Sequence, residues 1–425
     1  MNMQALHIPG EGGAFGKYPK LIGILFIAVV VRIICFLYYR TNVGISTWEY
    51  EVVAMNLIQG KGFLFGAHRA IIAPVYPALC AGIYFIFGHH ISLIIFLQIV
   101  LNAATCALIF FLAKKFFGSK CAYLAAMLIA LHPGLIIYSS TTLHSLSFYS
   151  FLICSSFFLL ATSLEDRDMR YKILLGLCTG FLVLERPTFL PFFILAWLWI
   201  FYYSVDKKNA KKAILISVIS LILIVSPWVA RNTVIFKRFV FIQTNQWFAF
   251  WLGNNPQSSG TALTPSGESV LGVSPEEFQQ KAISLDEMGR MEFFKTAALT
   301  FVREHPKQFI CRSIKKFYYF WWFSPQAGLL YPASYLIWYK MYYALILIIS
   351  LIGLTWALFI KTTRPLAILM LLLFSSNSFL HSLYYVEGRH RWSIEPLLLI
   401  CFSFGVLQIL HYGLGQLPAM KRQTS

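Results

Sequence analysis

Long apolar stretches alternate with short basic ones along this chain. The apolar runs lie at about 20–39, 90–113, 121–131, 134–162, 172–184, 188–203, 213–230, 333–360, 365–383 and 393–413. A helix needs roughly 20 apolar residues to cross a ~30 Å hydrocarbon core, so the pattern predicts an all-α polytopic membrane protein with about ten transmembrane helices. Two runs, 121–131 and 172–184, are short for a full crossing. The first is expected to continue as helix through "LHPGLIIYSS", because Pro133 is tolerated inside a membrane bundle. The second is expected to reach toward Arg186 and Pro187.

The connections carry the orientation. Basic clusters fall at every other one: Lys17 and Lys20; Lys114, Lys115 and Lys120; Arg167, Arg170 and Lys172; Lys207, Lys208, Lys211 and Lys212; Lys361 and Arg364; and Lys421 and Arg422. The positive-inside rule puts all of them, and both termini, in the cytoplasm. The first run leads into "CFLYYR" with no small-residue cleavage site, so it reads as a retained span rather than a signal peptide. Residues 40–89, 231–332 and 384–392 then face the other side. The chain divides into an N-terminal transmembrane module (1–230) with its first outer loop, an extracytoplasmic loop of roughly a hundred residues (231–332), and C-terminal transmembrane helices (333–425). Within the outer segments, "APVYPALCAGIYFIFG" suits a helix lying at the interface. "LDEMGRMEFFKTAALTFVREHP" reads as an amphipathic helix, with Asp286 and Glu287 at its start and Pro306 past its end.

Composition agrees. Of 425 residues, 58% are hydrophobic and 12% charged, against about 25% charged in soluble domains. The net charge of +18 invites a nucleic-acid reading, but the cations sit in topological clusters rather than on one face, and no nucleic-acid partner is expected. Eight scattered cysteines without a CxxC pair behave as small hydrophobes; neither a metal site nor a disulfide framework is indicated.

Acids are scarce, which draws attention to Glu49 and Glu51 in "TNVGISTWEYEVVAMNLIQGKGF", just beyond the first span. A positioned glutamate can take the proton of an attacking hydroxyl or amine. On a helix the two would diverge, so one at most faces a common site; both could instead be solvated acids at a helix start. Arg186, Arg231, Arg389 and Arg391 lie at outer span ends, against the positive-inside pattern. Arginine's planar fork suits phosphate, while snorkelling to headgroups is the plain alternative. Lys237 and Arg238 read as surface cations near lipid. "GNNP" (253–256) and Asn232 read as turn chemistry with left-handed backbone. "FYYFWWFSP" reads as an interfacial aromatic belt, or as a sugar platform. His144, in "TTLHSLSF", is either a structural histidine or a ligand-binding one.

These segments resemble the GT-C superfamily of polytopic glycosyltransferases, in the branch related to protein O-mannosyltransferases and lipid A aminoarabinose transferases. "WEYEVVAMNLIQGKGF", "PVYPALCAGIYFIFG", "ERPTFLPF", "PWVARNTVIFKRFVFIQTNQWFAFWLGNNP" and "GRHRWSIEP" follow the family's order. The resemblance implies transfer of a sugar from a polyprenyl-phosphate donor to an extracytoplasmic lipid, glycan or protein acceptor, with inversion. It makes Glu49 the carboxylate of choice, with Glu51 beside it, and assigns donor phosphate to Arg186, Arg231, Arg389 and Arg391, with Arg391 foremost in the hairpin. Tyr50, Tyr76, His144, Asn254 and Asn255 are the expected pocket residues. Many members carry Asp about four residues before the tyrosine, a register that falls here on Ser46 and Thr47. That departure keeps open a catalytically inactive relative that binds or escorts lipid-linked sugars. No DxD pair occurs in the first outer loop; a divalent cation shared with phosphate oxygens stays open. A secondary transporter would need acids or broken helices at mid-membrane, and the span interiors hold no Asp or Glu.

Overall fold

The computed structural model describes residues 18–164, 168–327 and 333–413. Lys17, Arg167, Lys421 and Arg422 of the topology argument lie outside these residues. The apolar runs of the sequence are largely helical. Seven described helices are long and apolar enough to cross a membrane: Pro19–Asn42, Ile91–Phe117, Leu146–Ser163, Lys207–Phe236, Ala333–Phe359, Arg364–Leu383 and Glu395–Tyr412. A bent pair, Ser119–Ala130 and Pro133–Thr141, makes an eighth if it counts as one crossing. Pro187–Tyr203 is a shorter apolar helix, and Met169–Glu185 packs between its neighbours. The protein is an integral membrane protein.

The expectation of continuous helix through Pro133 needs correction. The chain breaks at Leu131 and His132 and turns by 46° before Pro133 opens a new helix. Proline has no N–H and clashes with the preceding turn, so it sits at the first helical position instead. The break frees carbonyls, and the buried Arg32 of the first helix takes them, donating to Ala130 O at 2.8 Å and Ile129 O at 3.3 Å. In a membrane interior such compensation is required. The run at 134–162 is likewise two helices, parted by a two-residue strand, Thr142–Leu143, and a turn at 144–145.

Helix crossings are close where side chains are small. A Cβ on Gly353 would stand 1.9 Å from Cys401 O, so helices Ala333–Phe359 and Glu395–Gly413 can approach this closely only through glycine.

The segments expected to face outward also contain helices. Val75–Phe87 buries Tyr76, Cys80, Ala81 and Tyr84 and leaves Phe85, Ile86 and Phe87 exposed, as an interfacial helix does. Helix Glu287–Glu304 starts where the sequence placed it, capped by Asp286, whose carboxylate accepts from Gly289 N at 2.7 Å. Pro306 then opens a further helix, Pro306–Trp321. Glu287 clasps the first outer loop, accepting from Ala70 N at 2.9 Å and from Thr244 Oγ1 at 2.6 Å.

Candidate active site

The polar ends of several helices converge on one cavity of about 400 Å³. Its position follows from chain direction. Arg186 stands at the C-terminal end of Met169–Glu185, His381 in the last turn of Arg364–Leu383, and Trp48 and Glu49 after the first span. The basic clusters at 114–120, 207–212 and 361–364 mark the opposite helix ends.

Glu49 is the first residue of helix Glu49–Ile58, with Trp48 in extended conformation as its N-cap. The preceding Ser46 and Thr47 pair in parallel with Thr142 and Leu143, which fixes where the helix begins. Ser46 and Thr47 are exposed and do not line the cavity; Glu49 does. So do Tyr50, His144, Arg186 and Arg389. Glu51, turned about 200° around the helix from Glu49, is outside the cavity wall and bonds His89 at 2.8 Å.

His144 is held by two bonds. Its N–H donates to Gln98 Oε1 at 3.1 Å, and its Nδ1 accepts from Leu146 N at 3.0 Å. Edge-on rings of Trp48, Tyr50 and Tyr138 surround it at 5.0–5.5 Å. Gln98, inside a membrane helix, also donates to Thr142 O at 3.0 Å and accepts from the Tyr76 hydroxyl. Tyr76 thus braces the floor of the site and is itself fully buried, outside the cavity lining.

Arg186 lies 4.7 Å over the ring of Tyr149. Its Nε is shut from solvent and has no partner among the described residues. The neighbouring Glu185 is buried, lines the cavity and accepts from Tyr76 N at 3.1 Å. Arg389 bonds Glu387 at 2.5 Å and stacks on Trp48 at 4.7 Å. Burial opposes the charge on Arg389, but Glu387 and nearby tyrosines outweigh it and hold the guanidinium above its ordinary range. His390, stacked on His381 at 4.3 Å, is pushed well below the usual histidine range by burial and by the positive neighbours Arg389 and Arg186. Burial raises the Tyr50 phenol.

The other residues proposed from sequence sit elsewhere. Arg391, two positions from Arg389, is outside the lining of this cavity; it borders a second, adjoining chamber and belongs to a buried network. It bonds Glu395 at 2.6 Å, donates to Phe320 O at 2.9 Å and lies 3.7 Å over Tyr343. His132 meets the same carboxyl at 2.5 Å. Arg231 does not line the cavity; it braces the first outer loop, donating to Arg69 O at 2.9 Å and lying 4.3 Å over Trp228. Asn254 and Asn255 are buried packing residues. Neither Gly253 nor Asn254 has a positive φ, so "GNNP" is not the left-handed turn expected. It is a joint: a Cβ on Gly253 would meet Tyr384 O at 2.0 Å, and Asn254 donates to Leu383 O at 2.8 Å. Sequence reasoning passed over Trp48, Glu185, Asn245, His381, Tyr385 and His390, which also line the cavity. Trp48, Glu185, Asn245 and His390 stood inside quoted motifs, the only signal they gave. Among the described residues no group of three or more His, Cys, Asp or Glu is placed to hold a metal ion.

Residues 72–230 match the sequence model of a family described as dolichyl-phosphate-mannose-protein mannosyltransferase. Comparison with curated proteins gives no match. Among solved structures, the fold is similar to the Archaeoglobus fulgidus oligosaccharyltransferase AglB in complex with an inhibitory peptide and a dolichol-phosphate. That match has a TM-score of 0.52 and 14% identity, over 97% of this chain and 53% of AglB. A second structure of the A. fulgidus enzyme, with Zn and sulfate, gives 0.56 at 15% identity, over 92% and 50%. ArnT from Cupriavidus metallidurans, bound to undecaprenyl phosphate, gives 0.44 at 10% identity, over 93% and 78%, too distant in shape to weigh. The chain spans about half the length of the oligosaccharyltransferases it matches. The resemblance drawn from the motifs is borne out at the level of the fold, which is similar to that of these membrane enzymes.

Proposed function

We propose that the protein is an integral-membrane glycosyltransferase that moves a sugar from a polyprenyl-phosphate carrier to an acceptor at the non-cytoplasmic face, with inversion. The observation that carries this reading is one cavity lined by Glu49 together with Arg186 and Arg389. An acceptor hydroxyl or amine loses its proton to the Glu49 carboxylate as its oxygen or nitrogen attacks the anomeric carbon. The bond from that carbon to the phosphate oxygen breaks, and its electron pair leaves on the phosphate. A leaving phosphate needs charge stabilisation rather than a proton, and guanidiniums supply it. Arg186 and Arg389, the latter also paired with Glu387, are the guanidiniums at this cavity, and the scheme routes no step through a divalent cation. Leu190, Pro191 and Leu380 give the same cavity an apolar wall from membrane helices, suited to the carrier's first isoprene units. AglB, of similar fold, has been solved with dolichol-phosphate, a donor-type lipid of this chemistry. The outward siting rests on the separation of the cavity from the basic helix ends.

Membrane vesicles supplied with radiolabelled polyprenyl-phosphate sugars and cell-envelope acceptors test the proposal. Glu49→Gln is expected to lower transfer by about 10²–10⁴, the usual contribution of a positioned base. Equal transfer by variant and wild type across a donor panel sinks the assignment of the base. Carrier binding without transfer of any sugar would favour the escort alternative.

A further inference from the structure

The aromatic run "FYYFWWFSP" has a place in the fold that the reaction scheme leaves unused. Tyr319, Trp322, Phe323 and Ser324 line a second chamber of about 280 Å³, closed opposite by Tyr339 and Trp392. It adjoins the main cavity through a shared wall, the stacked pair of Trp48 and Arg389. Gln326 lines it too. That side chain is only 9% exposed, and its Oε1 is shut from solvent with no hydrogen-bond partner among the described residues. A buried acceptor is normally paired, so this chamber suits a guest that brings an O–H or N–H.

We propose that the chamber binds a saccharide unit that does not itself react. A pyranose offers polarised C–H faces to aromatic rings and hydroxyls to Gln326. An isoprenoid chain would satisfy the rings but not the carboxamide. Glu49 is absent from the lining, so the sugar held here is a neighbour of the reacting group, carried by the acceptor or by the donor glycan. The inference rests on the glycosyltransferase reading and gives the aromatic run a role, which is to fix a glycan's register so that another part of the molecule meets Glu49.

Saturation-transfer NMR on the full-length protein in nanodiscs, free of sugar-headed detergent, tests it. The probes are methyl α-D-mannopyranoside, methyl β-D-glucopyranoside and N-acetylglucosamine, with farnesyl phosphate for the main cavity. At least one sugar is expected to bind, about tenfold more weakly after Gln326→Leu, the loss of one buried hydrogen bond. Farnesyl phosphate binding is expected to survive Gln326→Leu and to weaken in Arg186→Gln. If no sugar of the panel binds in a Gln326-sensitive way, or if Gln326→Leu tightens farnesyl phosphate, the saccharide assignment is overturned. A Gln326-sensitive sugar without farnesyl phosphate binding would keep the chamber and sink the donor reading. Once transfer is measured, a raised KM for acceptor or for donor in Gln326→Leu assigns the source; no change in either overturns the proposal.

Discussion

Two buried polar regions lie side by side at the end of the bundle away from the basic helix ends, and they differ in how their groups are satisfied. One is the joint between the large outer loop and helix Arg364–Leu383. There Lys316 is fully buried and donates to Tyr384 O at 2.7 Å, Asn254 Oδ1 at 2.9 Å and Leu383 O at 3.1 Å. Arg312 adds a bond to Asn255 O at 2.6 Å. The other region is the cavity with its adjoining chamber, where Arg186 Nε, Asn245 Oδ1 and Gln326 Oε1 have no partner among the described residues. Burying an unpaired polar group is costly, so a saturated network reads as structure and an unsaturated one as a binding surface. Arg389 and Arg391 differ within one turn. Arg389 borders the main cavity, whereas Arg391 borders only the adjoining chamber and is bound to the buried Glu395.

The contrast can be broken by experiment, and the largest effect belongs to the arginine bound to Glu395. Arg391→Leu leaves the Glu395 carboxyl buried without its main partner, at about 3–5 kcal/mol; the thermal midpoint in detergent should fall steeply, and a midpoint near wild type would contradict the structural role. Arg389→Gln, by contrast, should weaken farnesyl phosphate binding about 10–100-fold, the range for a charged hydrogen bond, while the midpoint moves far less than in Arg391→Leu. Lys316→Met strands buried carbonyls and is expected to cost about 1–3 kcal/mol of stability, with lipid binding by the folded fraction unchanged.

The smallest effect is the pH dependence of the hairpin. His390 is held below the ordinary histidine range in the fold, so between that lowered value and about 6.5 the unfolded chain binds a proton that the folded chain refuses. Stability contributed by neutral His390 is therefore present above about pH 6.5 and lost as pH falls through that window. Thermal midpoints from pH 7.5 to 5 should decline less in His390→Gln than in wild type; parallel declines would remove His390 from the account.

Much of the fold was legible because lipid imposes a simple rule. Spanning segments must be long, apolar and helical, and the apolar runs are helical apart from the break within the run at 134–162. The break at His132 escaped notice because the decisive partner, Arg32, lies 97 or more residues away from the carbonyls it satisfies. The site was legible in part. Motif and charge pointed to Glu49, Arg186, Arg389, Tyr50 and His144, and these do gather around one cavity. Charge could not separate Glu49 from Glu51, or Arg389 from Arg391, since each pair has the same chemistry two residues apart.

The sequence by itself determined that the chain is a helical membrane protein with basic helix ends on one side and a sparse set of acids and arginines on the other. Local composition suffices for that, because transfer into lipid is a property of each segment separately. Only the tertiary structure decided which carboxylate and which guanidiniums face a common space. That choice depends on helix phase and on partners such as Glu395 and His89, which occupy one member of each pair and leave the other at the cavity wall.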